Sequence, residues 1–420
     1  MEIPVVFATD NNYLFYTVVA ITSMAENASR DTFYHIYILV ADELRRGHRL
    51  LDGLQRKYAN VKIHLLPVDE REFEGVTINN KHITKATFYR LLLSELLRED
   101  KCLYLDSDIV VNTDLQELYS VGLGDAYIAG VRDLWIDFMA GEDREARRVR
   151  TGLASMDRYV NAGVLLFNLD RIRKMYMEDN FKKHMEKDYL FEDQDILNVC
   201  CYNGIKHLPA KWNLFTFFMG QIEKFKEKGI PEQTIRDMEK KTGILHYATI
   251  SIRPWKSKRF LCNDIWWKYA EMWSDTPEFQ RLEKSVQQRE IGYSVKETAR
   301  YCERYEKVYI WGFTAFGRNI MNALMERGKE NIAGFIDHDE EKQRYTYCGK
   351  EVTAFQMSYY ERGKCAIIIA SQKRGEEVRH MLISMGIREE DIVCFVQKDE
   401  VYYRCLRSEF CEDEKGMVSL

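Results

Sequence analysis

The sequence predicts two α/β domains, each on a mainly parallel sheet, with the larger one first. Three observations predict this. The chain has 420 residues, too many for one ordinary core. Short apolar runs of strand length alternate with helical periodicity up to Leu105, and the alternation restarts near Val308. Apolar residues make up 46% and charged residues 30%, a soluble globular composition. The net charge, 61 − 66 = −5, offers no field to nucleic acid or an anionic membrane.

In order along the chain, Ile3–Ala8 reads as a buried strand, and Leu14, Val18, Ile21 and Ala25 then share one helical face. Tyr34–Val40 and Val61–Leu66 read as strands, with a polar helix over Glu43–Tyr58 between them. Lys85–Leu97 is expected to be helical and Cys102–Leu105 a buried strand. Strands alternating with helices imply a sheet covered on both faces. Such sheets bind nucleotides beyond the carboxyl ends of their strands. The charged, weakly periodic stretch Phe279–Lys296 marks a boundary. The expected division is 1–280 for the first domain, 281–296 for a linker or connecting helix, 297–400 for the second domain and 401–420 for a polar tail. Within the second domain, strands are expected at Val308–Trp311, Ile332–Asp337, Ala366–Ala370 and Ile392–Val396, with helices over Gly317–Arg327 and Glu376–Met385.

Ten cysteines are scattered without a CxxC pair, so buried, reduced thiols are expected rather than a zinc site. The N-terminus enters the first strand without a basic lead or cleavage site, and no apolar run approaches the roughly 20 residues of a membrane span. A cytoplasmic location is the expectation. Arg259–Tyr269 is aromatic and partly basic. Packing on the first domain is its favoured reading, with peripheral contact at the inner membrane face as the alternative.

The sharpest chemical signal is Asp106-Ser107-Asp108 after the strand Cys102–Leu105. At extended spacing the two carboxylates share one side and can meet a single divalent cation. Other segments accompany it in order: Thr9-Asp10-Asn11-Asn12-Tyr13, Ala86-Thr87-Phe88-Tyr89-Arg90, Gly130-Val131-Arg132-Asp133, Asn161-Ala162-Gly163, Asp193-Gln194-Asp195, Leu208–Asn213, Leu245-His246-Tyr247 and Arg253-Pro254-Trp255-Lys256. Taken singly, each has a plain structural reading. Asp193 would cap a helix starting at Gln194, Asn161-Ala162-Gly163 would make a tight turn, and His246 would be a hydrogen-bonded histidine.

As an ordered set over about residues 1–260, these segments resemble glycosyltransferase family 8, which includes bacterial lipopolysaccharide galactosyl- and glucosyltransferases and glycogenin. The resemblance implies a GT-A-type, Rossmann-like catalytic domain and a UDP-hexose donor. It implies that Thr9, Asp10, Asn11 and Tyr13 hold the uridine, and that Arg90, Ser107, Asp133, Ala162, Arg253 and Lys256 contact sugar or diphosphate. By the same resemblance Asp106, Asp108 and His246 bind Mn²⁺, with Mg²⁺ possible, while Asn161, Asp193 and Gln194 line the transferred sugar. The charge that builds on a UDP leaving group calls for such a cation, and an imidazole ligand favours Mn²⁺. Gln194 is a neutral amide, so a front-face retaining mechanism is expected over a covalent intermediate. The sequence departs from the family pattern at Thr249, where a glycine is usual, and at Arg253, where lysine is usual. The implied acceptor is a glycan or lipid-linked glycan of the cell envelope.

In the second domain, Gly312-Phe313-Thr314-Ala315-Phe316-Gly317 follows a strand, with Asp337 further on, much as in a small Rossmann-like dinucleotide site. Thr314 replaces the glycine that admits a pyrophosphate. The expectation is no tight NAD binding and a role in acceptor recruitment or assembly. Two other readings remain open on the sequence. One is an NAD-linked epimerase or dehydrogenase acting through this domain; the other is a non-catalytic glycan-binding scaffold.

Overall fold

In the computed structural model, which describes residues 1–41, 48–76, 84–139, 141–187, 189–220, 222–227, 230–249, 252–258, 260–290, 295–371, 374–394 and 418–419, contacts divide the chain into two units. The first comprises Met1–Ile250 and Asp264–Phe279; the second comprises Ser251–Asn263 and Gln280–Leu420. Sequence expectation had placed Ser251–Asn263, with Arg253 and Lys256, in the first domain.

In the first unit β1 (Glu2–Thr9), β2 (Phe33–Val40) and β3 (Val61–Pro67) run parallel, and β4 (Lys101–Leu105) pairs with the other side of β1. Ile3, Val5, Val6 and Phe7 are all fully buried, so both faces of β1 are covered, as a run without alternation requires. β5 (Ile109–Val111), β6 (Ile128–Arg132), β7 (Val160–Asn168), β8 (Ile205–Leu208), β9 (Leu214–Phe215) and β10 (Ile244–His246) complete the unit. The main sheet has the order β3-β2-β1-β4-β7-β6-β8 and a small one the order β5-β10-β9. The main sheet is mainly parallel, with β7 antiparallel to both of its neighbours.

Asp106–Asp108 therefore bridge two sheets: β4 ends in the main one and β5 begins the small one. β10 pairs antiparallel with β5 so that His246 faces Ile109, and the Tyr247 N–H donates to the Asp108 carbonyl at 2.8 Å. From the other side, Asp106 N–H donates to Gly163 O of β7 at 2.8 Å. Backbone pairing thus fixes the acidic turn between β7 and β10.

Two local expectations change and one holds. The polar helix runs over Arg49–Lys57, capped by His48 Nδ1 accepting from Leu50 N–H; residues 43–47 of the expected span lie outside the described residues. The expected helix Lys85–Leu97 is a 3₁₀ segment, Lys85–Leu92, followed by one α turn, Leu93–Leu96. Phe88, Tyr89, Arg90, Leu91 and Leu92 are all buried, so packing all round the segment sets its backbone in place of helix propensity. The aromatic helix Asn263–Ala270 buries both tryptophans. Trp266 sits edge-on to Phe15 and Tyr16, and Tyr269 Oη accepts from Asn27 Nδ2. The packing reading holds for these rings, which leaves them unavailable to lipid.

The second unit has β11 (Lys307–Trp311), β12 (Ile332–Ile336), β13 (Tyr345–Tyr347), β14 (Lys350–Thr353), β15 (Cys365–Ile369), β16 (Ile392–Cys394) and β17 (Val418–Ser419), in the order β16-β15-β11-β12-β14-β13-β17. Val418–Ser419 add an edge strand to β13 where a free polar tail was expected; residues 395–417 lie outside the described residues. Helices Pro277–Glu290 and Val295–Cys302 occupy most of the expected linker.

The glycine-rich loop after β11 satisfies itself. Thr314 Oγ1 accepts from Gly317 N–H at 3.1 Å and caps the helix Ala315–Met325. A Cβ on Gly317 would stand 2.1 Å from Gly312 O. Asp337, expected where a ribose-binding acid would lie, accepts from Phe313 N–H at 2.8 Å. Gly317 serves close packing of the helix on its loop, and Gly312 holds a left-handed backbone. Among the described residues every cysteine is free, and no helix is long and apolar enough to cross a membrane.

Candidate active site

The loop after β4 and the end of β10 bring Asp106, Asp108 and His246 together, with one ligand atom from each lying within 4.8 Å of the others. His246 Nε2 is 3.2 Å from Asp108 Oδ1 and 3.9 Å from Asp106 Oδ2. Asp108 and His246 are buried, and Asp106 is partly open. At the other ring nitrogen, His246 Nδ1 lies 2.8 Å from Asn213 Oδ1. An amide oxygen only accepts, so Nδ1 carries a proton, and Nε2 is the ring nitrogen that faces the carboxylates. Two carboxylates and one oriented imidazole nitrogen fit a divalent cation. Gly163 of β7 makes the room: a Cβ there would lie 2.3 Å from His246 Cε1 and 2.9 Å from Asp106 Oδ2. Its reason for being glycine is this approach and not the tight turn that its motif suggests.

Arg90, on the 3₁₀ segment, lies between two acids. Its Nη2 donates to Asp106 Oδ1 at 2.9 Å and its Nε lies 3.0 Å from Asp193 Oδ2. The Nε proton is directed at Thr87 O, also 3.0 Å away, so the Asp193 contact is an ion pair without a hydrogen bond. Nη1 donates to Ala162 O at 2.6 Å, and the guanidinium covers the Tyr104 ring. Its neighbours hold Arg90 firmly charged despite burial. Asp193 accepts from Thr87 Oγ1 at 2.8 Å. It does not cap the helix: Glu192–Cys200 begins one residue before it, with Phe191 at the N-cap position. Burial pushes the Asp193 carboxyl up to about 6 even though Arg90 pulls the other way.

Gln194 is held at both ends of its amide. Its Oε1 accepts from Ala162 N–H at 3.0 Å and Asn161 Nδ2 at 2.9 Å. Its Nε2 donates to Asp133 Oδ2 at 2.9 Å and to Tyr159 Oη at 3.3 Å. Burial raises the Asp133 carboxyl. Asn161 Oδ1 accepts from Asn213 Nδ2 at 2.8 Å, so one hydrogen-bonded chain runs from His246 through Asn213 and Asn161 to Gln194.

Beyond the carboxyl ends of β1, β2 and β3 lies a cavity of about 650 Å³ lined by Asp10, Asn11, Asn12, Ala41, Lys85 and Tyr89, among others, within the usual range for small-molecule sites. Asp10 Oδ1 accepts from the Asn12 and Tyr13 N–H groups at 2.9 Å each, shaping the loop. Thr9 and Ser107 point elsewhere: Thr9 Oγ1 accepts from Thr17 Oγ1, and Ser107 Oγ lies 2.8 Å from the same hydroxyl. Thr9 and Tyr13 are not in the cavity lining. Arg253, partly buried, and Lys256, exposed, belong to the second unit. The sequence reading left Gly163, Asn213, Thr87, Tyr159 and Lys85 without roles; only the order of motifs around the first three hinted at them.

Gly163→Ala should displace the His246 ring. The expected outcome is a loss of divalent-cation affinity of roughly 10- to 100-fold, the scale for a disturbed ligand environment, read by calorimetric titration with Mn²⁺. Unchanged affinity in a folded variant would contradict this geometry.

The chain is similar to known glycosyltransferases. A Haemophilus influenzae relative is 29% identical over 213 residues, half of this chain and 62% of that protein. The lipopolysaccharide 1,2-glucosyltransferase of Escherichia coli is 29% identical over 336 residues, 74% of this chain and 89% of that one. Among solved structures, the galactosyltransferase LgtC, in complex with donor and acceptor sugar analogs, matches with a TM-score of 0.54 and 28% identity over 67% of this chain and all of that one. The bifunctional glycosyltransferase WbbM matches with a TM-score of 0.56 and 25% identity over 68% of this chain, which spans 52% of WbbM. The C2185-like N-terminal family matches residues 304–393. Residues 4–259 match glycosyl transferase family 8, and the chain belongs to that family.

Proposed function

We propose that this protein moves a hexose, glucose or galactose, from a UDP-sugar to a cell-envelope glycan with retention at the anomeric carbon, and that it depends on a divalent cation, preferably Mn²⁺. The observation that carries the reading is the meeting of Asp106, Asp108 and His246 beside the Arg90–Asp193 pair and the fixed Gln194 amide. A cation held by that triad would stabilise the charge developing on a diphosphate leaving group.

The chain's own residues do the rest. Asp10 and Asn11 hold the nucleoside end, where the cavity they line supports the reading, with Thr9 and Tyr13 flanking them in sequence. Asp193, as a carboxylate, accepts a hydrogen bond from a sugar hydroxyl. Gln194 presents an amide where a glycosidase would present a second carboxylate, which favours a front-face path. Residues 297–400 serve the acceptor or assembly, and donor turnover does not need them.

The test is release of UDP from UDP-glucose and UDP-galactose, with and without Mn²⁺, with GDP- and CDP-sugars as controls and NMR of the product anomer. Turnover only with UDP-sugars and Mn²⁺, with an α product, is expected. Equal use of GDP-sugars, cation independence or a β product would refute the corresponding part. Asp108→Asn should lower turnover by at least about 10²-fold, the scale for losing a preorganised charge stabiliser, with melting unchanged.

Turnover should also fall on the acid side with a midpoint near 6, because Asp193 titrates there and its protonated form is the weaker acceptor. The pH profile of kcat checks this, and Asp193→Asn should remove that limb from whatever activity remains. A limb that persists in Asp193→Asn assigns it to another group.

A further inference from the structure

Behind Gln194 lies a buried charged cluster with no assigned part in the reaction. Arg147, on the helix Gly141–Thr151, pairs with Asp195 at 3.0 Å, and both side chains are almost fully buried. Tyr159 Oη lies between them: it donates its one proton to Asp195 Oδ1 and accepts from Arg147 Nη2. Phe191 closes the cluster, with its ring 3.6 Å from the Arg147 guanidinium and its N–H donating to Asp195 Oδ2 at 2.9 Å.

The logic of donors and acceptors reaches Gln194. With its proton committed to Asp195, Tyr159 Oη offers only lone pairs to its remaining neighbour, as does ionised Asp133. The group facing them must be a donor, and it is Gln194 Nε2. The backbone N–H of Ala162 is a pure donor and faces Gln194 Oε1. The two ends of the amide are therefore distinguished, and a flip would break contacts at both.

We infer that Arg147 is a positioning residue: its charge holds Asp195 beneath Tyr159 and thereby locks the amide of Gln194 in the orientation that faces the donor sugar. The inference rests on the proposed role of Gln194. Arg147 acts through others, since it is buried and covered by Phe191. Its charge also bears on Asp133, which is faced by Arg147, Gln194, Asn161 and the Trp135 N–H. Burial raises that carboxyl and Arg147 lowers it. Without Arg147 the Asp133 carboxyl moves higher, and once protonated it sets an O–H against the Gln194 NH₂.

The experiment uses the full chain, Mn²⁺ and UDP-glucose or UDP-galactose, with UDP release as the readout. The variants are Arg147→Met, Arg147→Lys, Tyr159→Phe, Gln194→Ala and the double variant Tyr159→Phe with Gln194→Ala. Arg147→Met and Tyr159→Phe should lower kcat roughly 10- to 100-fold, the scale of a small misplacement, with donor KM within about twofold. Arg147→Lys should recover part of the loss. The double variant should be no slower than Gln194→Ala, because the effects run through one group. Losses confined to KM, losses that multiply in the double variant, or no recovery by Arg147→Lys would overturn the inference. If Arg147→Met does not fold, Tyr159→Phe, which removes one oxygen, decides. Normal turnover by Gln194→Ala would end both the role of Gln194 and this inference. An impaired Gln194→Ala beside normal Arg147→Met and Tyr159→Phe would end the inference alone.

Discussion

The site depends on the Arg90 guanidinium, buried between Asp106 and Asp193. Three carboxylates and an imidazole converge where β4, β5, β7 and β10 meet, and like charges this deep repel unless a cation is built in. Arg90 is that cation. It also spans pieces far apart in sequence, reaching the acidic loop, the Ala162 carbonyl of β7 and the helix that carries Asp193. Removing one partner of such a buried pair costs about 3–5 kcal/mol, so the carboxylates and Arg90 hold one another in place. The same contact explains why the segment Lys85–Leu92 winds tightly as 3₁₀: it buries Phe88 to Leu92 on every side while delivering one charged group inward.

β7 is the second organising element. Within three residues, Asn161 links Asn213 to Gln194, Ala162 gives its N–H to Gln194 and its carbonyl to Arg90, and Gly163 leaves space for His246. The candidate cation ligand His246 and the amide of Gln194 are thus parts of one hydrogen-bonded assembly. Disturbing either end is felt at the other through these shared hydrogen bonds.

Much of this was legible in the sequence because the chemistry is local. Asp106 and Asp108 follow a recognisable strand, and the order of motifs led to His246 and Gln194. The illegible parts depend on tertiary contacts. Asp193 reads as a helix cap until Thr87 and Arg90 arrive from about 100 residues away and claim both its oxygens. Gly163 reads as a turn glycine, yet it sits inside a strand, and what excludes a side chain there is an imidazole from β10. Arg147 and Tyr159 belong to no motif, and only the fold brings them against Asp195. In the second unit the glycine spacing does not reveal that Thr314 caps the following helix or that Gly317 packs against its own loop.

The most direct test of the central claim is a crystal structure with Mn²⁺ and UDP, read by anomalous scattering at the manganese edge. The expected result is one strong peak coordinated by Asp106, Asp108 and His246 Nε2, with Arg90 still bonded to Asp106 and with Asn213 still on His246 Nδ1. A peak elsewhere, or no peak at saturating Mn²⁺ with UDP bound, would contradict a cation site built by these strands.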